Sequence, residues 1–199
     1  AALNGSTEAG LPAISVTPPQ GKMLMLLAQL QGAKRILEIG TLGGYSTIWM
    51  ARALPHDGRL VTLEIDPRHA DVARANMTRA RLSEKVDIRV GAALDLLPQL
   101  AKENSAPFDM TFIDADKANM PGYFEWAVKL SRKGAQIICD NVVRDGAVID
   151  EDSTDASVLG VRRLNEMIAA DTRVTATTIQ TVGSKGYDGF TMAIVRGEP

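Results

Sequence analysis

Three oxygen-bearing side chains follow two apolar runs of the chain, and together they could bind a metal ion. The runs are 108–113 and 135–139, and the side chains are Asp114, Asp140 and Asn141. Two carboxylates and a carboxamide form an all-oxygen ligand set. Such a set suits a hard divalent cation, Mg²⁺ or another such as Ca²⁺ or Mn²⁺. The alternative is that Asp116 and Lys117 form a surface ion pair and that Asp140 and Asn141 only begin a turn.

A glycine-rich turn after another apolar run could hold a ligand. The run 36–39 contains Glu38, and Gly40, Gly43 and Gly44 follow before a helical pattern begins. Glycines let the backbone approach a ligand closely, and a helix N-terminus offers unpaired N–H groups. Glu38 would repel a pyrophosphate but suits a cationic or amine-bearing ligand. The spacing departs from the dinucleotide fingerprint G-x-G-x-x-G, and a purely structural turn is the alternative.

A third acidic position follows the run 60–63. Glu64 at this strand end could accept hydrogen bonds from the ribose hydroxyls of an adenosine, although a solvated acid would give the same pattern. Asp66 precedes a proline, which is typical of a helix N-cap. The small residues at 91–93 could let an adenine ring lie flat.

The elements that must position these residues alternate in type along the chain. Strands are predicted at 36–40, 60–65, 86–90, 108–114, 135–140, 174–182 and 190–195. Helical patterns precede the first strand and separate most of the others. A connection at 183–189 indicates an antiparallel C-terminal hairpin, and the alternating pattern at 86–90 indicates a strand near a sheet edge. A polar, acidic loop is predicted at 142–156.

This order of elements predicts a single α/β domain over residues 1–199, a Rossmann-like, doubly wound sheet of seven strands with an antiparallel C-terminal hairpin. Residues 1–13 are expected to be a flexible or truncated N-terminal segment. In such sheets ligands bind beyond the carboxyl ends of the strands. The acidic residues described above should therefore converge at one edge of the sheet.

Composition limits the partners of the chain. A net charge of −2 and a pI near 5.7 argue against a broad nucleic-acid or anionic-membrane surface. No apolar run reaches the roughly 18 residues of a membrane span. The single cysteine, Cys139, excludes an internal disulfide and fits a reducing compartment. We therefore expect a cytoplasmic protein without nucleic-acid or membrane partners.

Three segments of the chain together resemble a known family, the small metal-dependent O-methyltransferases of the catechol and caffeoyl-coenzyme A type. They are 36–46, 112–117 and 140–141, and the likeness extends from about Ile14 to Val195. The glycine loop is similar to the Glu-x-Gly-x-x-x-Gly loop of S-adenosylmethionine-dependent methyltransferases. The resemblance implies methyl transfer from S-adenosylmethionine to one hydroxyl of an ortho-dihydroxy aromatic molecule.

The resemblance also implies a role for individual residues. It makes Asp114, Asp140 and Asn141 the metal ligands and Lys117 the catalytic base. The positions that would contact S-adenosylmethionine are Val16, Glu38, Gly40, Thr41, Ser46, Glu64, Ala93 and Asp114. Family members commonly form dimers, so a homodimer is expected. The animal catechol enzymes have a tryptophan where Asp116 stands here, so their aromatic substrate wall is not reproduced at that position.

Three other classes of protein share part of this pattern. A nicotinamide-dependent oxidoreductase would use the same strand–turn–helix unit, but the glycine spacing and Glu38 disfavour it. A nucleic-acid methyltransferase would be expected to carry a Pro-Pro-aromatic motif after the fourth strand, where this chain has Asp114 to Lys117. A non-catalytic nucleoside-binding module would need neither Lys117 nor a metal site.

Overall fold

The computed structural model describes residues 1–103, 105–183 and 186–197. Within them, seven strands form one sheet in the order β3-β2-β1-β4-β5-β7-β6. The strands are β1 (Arg35–Ile39), β2 (Arg59–Glu64), β3 (Val86–Val90), β4 (Phe108–Ile113), β5 (Ser131–Asp140), β6 (Val174–Gly183) and β7 (Gly186–Val195). The first five strands are parallel, and β7 runs antiparallel to both β5 and β6. The doubly wound sheet with an antiparallel C-terminal end, predicted from the sequence, is confirmed.

Helices cover both faces of the sheet. They are α1 (Ala2–Glu8), α2 (Pro18–Leu30), α3 (Tyr45–Ala53), α4 (Pro67–Ala80), α5 (Ala93–Lys102), α6 (Met120–Leu130) and α7 (Ala156–Ala170). Short 3₁₀ segments span Lys117–Asn119 and Arg144–Ile149. No helix in the described part of the chain is long and apolar enough to cross a membrane.

Polar residues at the helix starts determine where several helices begin. The carboxylate of Asp66 accepts a hydrogen bond from the backbone N–H of Arg68 at 2.8 Å, as expected of an N-cap. Hydrogen bonds from Arg68 lower the pKa of Asp66 to about 2. Thr17 and Asp155 cap α2 and α7 in the same way. These caps place the preceding loops at the carboxyl edge of the sheet.

The core lies in two apolar layers, one on each face of the sheet. Leu37 and Ile39 of β1 pack with α5, α6 and α7, whereas Ile36 packs with α2, α3 and α4. All three of these side chains are fully buried. Each such side chain contributes about 1.5–3 kcal/mol through removal of apolar surface from water. Burial on both faces explains why the central strands are continuous apolar runs.

Two segments differ from what the sequence predicts. Strand β7 begins at Gly186, so the hairpin pairing extends to Gly183 and Gly186 and the connection is much shorter than the predicted loop at 183–189. The N-terminal segment, expected to be flexible, contains helix α1. The start of α1 is held near α4 by Asn76, whose side-chain amide donates to the carbonyls of Gly43 (2.8 Å) and Ala2 (3.4 Å).

Strand β3 lies at a sheet edge, as its alternating pattern indicates.

Candidate active site

A cavity of about 680 Å³ lies beyond the carboxyl ends of the parallel strands. Its wall combines the ends of β1 and β2 with the loops that follow β3, β4 and β5, so it occupies the point where the strand order reverses between β1 and β4. This is where doubly wound sheets bind ligands. The predicted site residues that line it are Val16, Gly40, Thr41, Ser46, Glu64, Ala93, Asp114, Lys117 and Asn141. Glu38 and Asp140 are absent from this lining.

Gly40 brings the ends of β1 and β4 into contact. Its φ of +97° lies in the region that favours glycine, and a Cβ at this position would overlap the backbone carbonyl of Asp114. The backbone N–H of Asp114 donates to the carbonyl of Ile39 at 2.9 Å, and that of Gly40 donates to Leu63 at 2.9 Å. The glycine turn and the acidic end of β4 therefore form one rigid junction.

Glu38 lies behind the cavity wall rather than in it. The side chain is fully buried and accepts hydrogen bonds from the hydroxyls of Ser46 at 2.5 Å, Thr62 at 2.7 Å and Thr47. Burial raises its pKa to about 7, although the three hydroxyl donors lower it. Glu38 therefore anchors the first turn of α3 to β1 and β2. Its contact with a cationic ligand stays a prediction.

Glu64 both lines the cavity and organises the glycine turn. One carboxylate oxygen accepts the backbone N–H groups of Thr41 (3.2 Å) and Leu42 (2.7 Å), and the other accepts that of Asp66 (3.0 Å). His69 Nδ1 lies 3.4 Å from this second oxygen. A carboxylate has about four lone-pair positions, so Glu64 can still accept a hydrogen bond from a hydroxyl in the cavity.

Asp114, Lys117 and Asn141 form the opposite side of the cavity, and Asp140 is buried behind them. Lys117 Nζ lies 3.0 Å from a carboxylate oxygen of Asp114, and its side chain is almost entirely buried. Asp140 is also buried and accepts hydrogen bonds from the Gln20 side-chain amide (2.7 Å) and the Asn141 backbone (2.9 Å). Burial, and next the negative charge of Asp114, raise the pKa of Asp140. The two carboxylates are therefore close enough to repel one another.

The chemistry of these donors fits a divalent cation. In the described ranges, no three His, Cys, Asp or Glu side chains form a group that could hold a metal ion. A cation here would accordingly need the Asn141 carboxamide in addition to Asp114 and Asp140. All three donors carry oxygen, and positive charge between the two carboxylates would offset their repulsion. The backbone of Asn141 adopts a φ of +57°, which turns the chain sharply at the end of β5.

Tyr123 is an aromatic residue of the cavity wall that the motifs do not reveal. It lies on α6, is buried, and donates a hydrogen bond from its hydroxyl to Asp116. Burial and this contact raise the pKa of Tyr123 well above its usual range. Asp116 also accepts a hydrogen bond from the Asn119 side chain at 2.7 Å. Asp116 thus supports the segment that carries Lys117, and Tyr123 supplies an aromatic surface from a different element.

Asp188 positions the loop that follows β5. One of its carboxylate oxygens accepts the backbone N–H groups of Val143 (3.0 Å), Arg144 (2.9 Å) and Gly189 (2.9 Å). Because Asp188 lies in β7, the hairpin holds the loop against the cavity, where Arg144 forms part of the wall. The sequence shows Asp188 only as a residue of a polar connection, and no motif marks it.

The chain matches one known family over nearly its whole length. A family model described as O-methyltransferase matches residues 4–194. A catechol O-methyltransferase from Niastella koreensis is 61% identical over 196 residues, covering 98% of this chain and 89% of that protein. A second catechol O-methyltransferase, from Mycobacterium tuberculosis, is 52% identical and covers 98% of this chain and 87% of its own length.

Solved structures have the same fold. The crystal structure of an O-methyltransferase from Bacillus cereus in complex with SAH has a TM-score of 0.96 at 61% identity, covering 98% of this chain and 88% of that one. An O-methyltransferase from Streptomyces achromogenes involved in tomaymycin synthesis, in complex with SAM, has a TM-score of 0.95 at 56% identity with the same two coverages. The chain belongs to the O-methyltransferase family.

Proposed function

We propose that this protein transfers a methyl group from S-adenosylmethionine to one hydroxyl of an ortho-dihydroxy aromatic molecule, with help from a divalent cation. The observation that carries this proposal is one cavity bounded on one side by the glycine turn and Glu64 and on the other by Lys117 beside Asp114. The names of the two catechol O-methyltransferase relatives support the same substrate class. These comparisons give no support to a nicotinamide-dependent oxidoreductase.

The β1–β3 side of the cavity suits the cofactor. S-adenosylmethionine, when bound, supplies an electrophilic methyl group on a sulfonium. Glu64 would accept hydrogen bonds from the ribose hydroxyls, and the small residues at 91–93 would leave room for the adenine ring, since both lie in the cavity wall. Gly40 lets the backbone approach the cofactor closely. Two of the similar solved structures contain SAH or SAM.

The β4–β5 side suits the metal and the substrate. Asp114, Asp140 and Asn141 would hold a divalent cation, which favours the anionic form of a coordinated hydroxyl. Lys117 lines the cavity beside Asp114. As the neutral amine it would serve as the base and accept the proton of the attacking hydroxyl, becoming the ammonium that pairs with Asp114. Tyr123 provides an apolar ring surface for the aromatic substrate. Holding the hydroxyl in line with the methyl group can lower the barrier by roughly 7–11 kcal/mol in favourable cases.

The experiment is a methylation assay over catechol, caffeate, a caffeoyl thioester and a flavonoid, with products read by mass spectrometry. Activity should disappear in EDTA and return with Mg²⁺, Ca²⁺ or Mn²⁺. Lys117→Gln should lower kcat by about 100-fold or more, as expected for loss of a general base, while Arg163→Gln on the exposed side of α7 serves as the matched control. Undiminished turnover in EDTA would exclude the role of the cation.

We also propose that the protein is a homodimer that forms through β6 and the adjacent side of α2. Strand β6 is at the edge of the sheet, has no ionisable residue, and is exposed along nearly its whole length. Ile179 is 42% exposed, and on α2 Leu26 and Leu30 are 46% and 85% exposed. An uncharged edge strand with unpaired backbone groups is a template for pairing with a second copy about a twofold axis.

Multi-angle light scattering tests this assembly. The wild type should give a mass of about twice 21.3 kDa, and Ile179→Lys should shift it to the monomer because a charge would be buried in the contact. Ile149→Lys, at an equally apolar but separate exposed position, is the control. A monomeric wild type at micromolar concentration would refute the dimer. The cytoplasmic location and the lack of nucleic-acid and membrane partners stay predictions.

A further inference from the structure

Arg144 lines the cavity, and none of the ion pairs in the described part of the chain involves its guanidinium. Its Nε is buried and has no hydrogen-bond partner among the residues that the structure describes. Its backbone is held in place, because the N–H of Arg144 donates to Asp188 at 2.9 Å and its φ is +56°. The side chain is therefore presented to the cavity by a rigid loop end rather than by a free loop.

The acidic residues near Arg144 are committed to other contacts. Asp155 is influenced by the positive charge of Arg144, but its carboxylate caps α7 through hydrogen bonds from Ser157 and Val158, which are the larger causes of its lowered pKa. Asp188 accepts three backbone N–H groups. Asp114 is paired with Lys117 at 3.0 Å. These three carboxylates are therefore occupied by other donors and do not form an ion pair with Arg144.

An arginine that lines a cavity without a carboxylate partner leaves its positive charge available to a ligand. Arginine presents a planar set of N–H donors that matches a carboxylate, with which it can form two parallel hydrogen bonds. The chemistry that would satisfy this site is therefore an anionic, planar group entering the cavity with the ligand.

Two ligands could bring a carboxylate into this cavity, the aromatic substrate and the methionyl part of the cofactor. Arg144 follows β5 and lies three residues after Asn141, whereas the glycine turn at 40–46 lies on the far side, after β1. Since the substrate hydroxyls are assigned to the Lys117 and Asn141 side, the substrate is the nearer source.

We infer that Arg144 binds a carboxylate carried by the aromatic substrate, so that the enzyme prefers anionic catechols over neutral or cationic ones. The inference rests on the proposed function for the identity of the reacting hydroxyl. The inference makes Arg144 a specificity-determining residue. It also narrows the substrate class to a negatively charged one: an ortho-dihydroxy aromatic acid, or an ester or thioester that carries an acid group elsewhere.

Three substrates that share the dihydroxy ring but differ in charge test this inference: protocatechuate (anionic), catechol (neutral) and dopamine (cationic). For the wild type, kcat/KM should be about tenfold or more higher for protocatechuate than for catechol, as expected from a charge-assisted hydrogen bond. Arg144→Gln should lower this ratio by about tenfold or more, and Arg144→Lys should fall between. Arg163→Gln, also an arginine but exposed on α7, should keep the wild-type ratio. An unchanged ratio in Arg144→Gln would overturn the inference.

Equilibrium binding separates the two carboxylate sources and does not depend on turnover. Calorimetry should show weaker protocatechuate binding to Arg144→Gln than to the wild type, with equal affinity of both proteins for S-adenosylhomocysteine. If only the S-adenosylhomocysteine affinity falls, Arg144 serves the cofactor and the inference is wrong. If the wild type methylates none of the three catechols, the proposed function fails, and the calorimetry still decides whether Arg144 binds an aromatic acid.

Discussion

Replacing Glu38 with glutamine should remove a pH-dependent loss of stability. The carboxyl is fully buried between three hydroxyl donors, and burial raises its pKa from an ordinary 4.5 to about 7. In the unfolded chain the group is in water and titrates near its ordinary value. The folded state therefore binds its proton more tightly than the unfolded state does.

The sign of the effect follows from this difference. Below pH 4.5 the group is protonated in both states and does not affect stability. As the pH rises from 4.5 to about 7, the unfolded chain loses the proton first, so the free energy of unfolding falls. Each unit of pKa difference corresponds to about 1.4 kcal/mol. Above pH 7 the loss amounts to about 3 kcal/mol, and a glutamine, which does not titrate, is free of it.

The assay is urea denaturation of the wild type and Glu38→Gln at intervals from pH 5 to pH 8, with EDTA present so that neither protein carries a metal ion. Asp140 titrates in both proteins over this range, so the comparison between them isolates Glu38. The glutamine amide changes the hydrogen bonds to Ser46, Thr47 and Thr62 at every pH. The test is therefore how steeply the free energy of unfolding changes with pH in each protein, and not its absolute value at one pH. Glu8→Gln on the exposed helix α1 is the control and should follow the wild type. Parallel curves for the wild type and Glu38→Gln would refute the reasoning.

Two further substitutions test how the cavity is supported. Gly40→Ala should destabilise the protein by about 2–4 kcal/mol and abolish activity, because the new Cβ overlaps the Asp114 carbonyl. Gly32→Ala is the control, because Gly32 also has a positive φ but has open space around it. It should cost about 1 kcal/mol in the same urea titration. Asp188→Ala should lower kcat/KM for catechols by about tenfold or more, since three backbone donors lose one carboxylate oxygen. Asp188→Asn keeps that acceptor atom and should retain most of the activity, so equal losses in both variants would contradict this role.

The fold could be predicted from the sequence because its signals are local. Apolar runs alternate with helical patterns, and caps such as Asp66 mark helix starts, so the element types agree with the structure. The sequence predicts shorter hairpin strands because Tyr187 and Asp188 lie between Gly186 and Gly189, a pattern typical of loops. In the structure both residues belong to β7. Helix α1 is missed for a related reason: its residues are small and polar, and its support comes from Asn76, which is distant in sequence.

The sequence predicts which residues lie at the candidate site better than it predicts which way their side chains face. Strand ends meet at one edge of a parallel sheet, so the residues at those ends converge, and nine of the positions named from the sequence line the cavity. Whether a strand-end carboxylate faces the ligand or the interior depends on its partners. Ser46, Thr47 and Thr62 draw Glu38 inward, and Gln20 holds Asp140. Such contacts between distant segments leave no pattern in the sequence.

The buried carboxylates give a reason why the binding of a cation and the binding of the cofactor, as proposed above, should be coupled. Gly40 touches Asp114 through the backbone. After burial, the charge of Asp114 is the next cause that raises the pKa of Asp140, and it adds a smaller increase to that of Glu38, where burial is the main cause. A change of charge at Asp114 therefore reaches the anchor of α3 on one side and the end of β5 on the other. Because a cation would reduce the repulsion on both sides at once, its binding should also stabilise the glycine turn. Metal binding and cofactor affinity should for this reason be coupled, with each raising the other by the same factor.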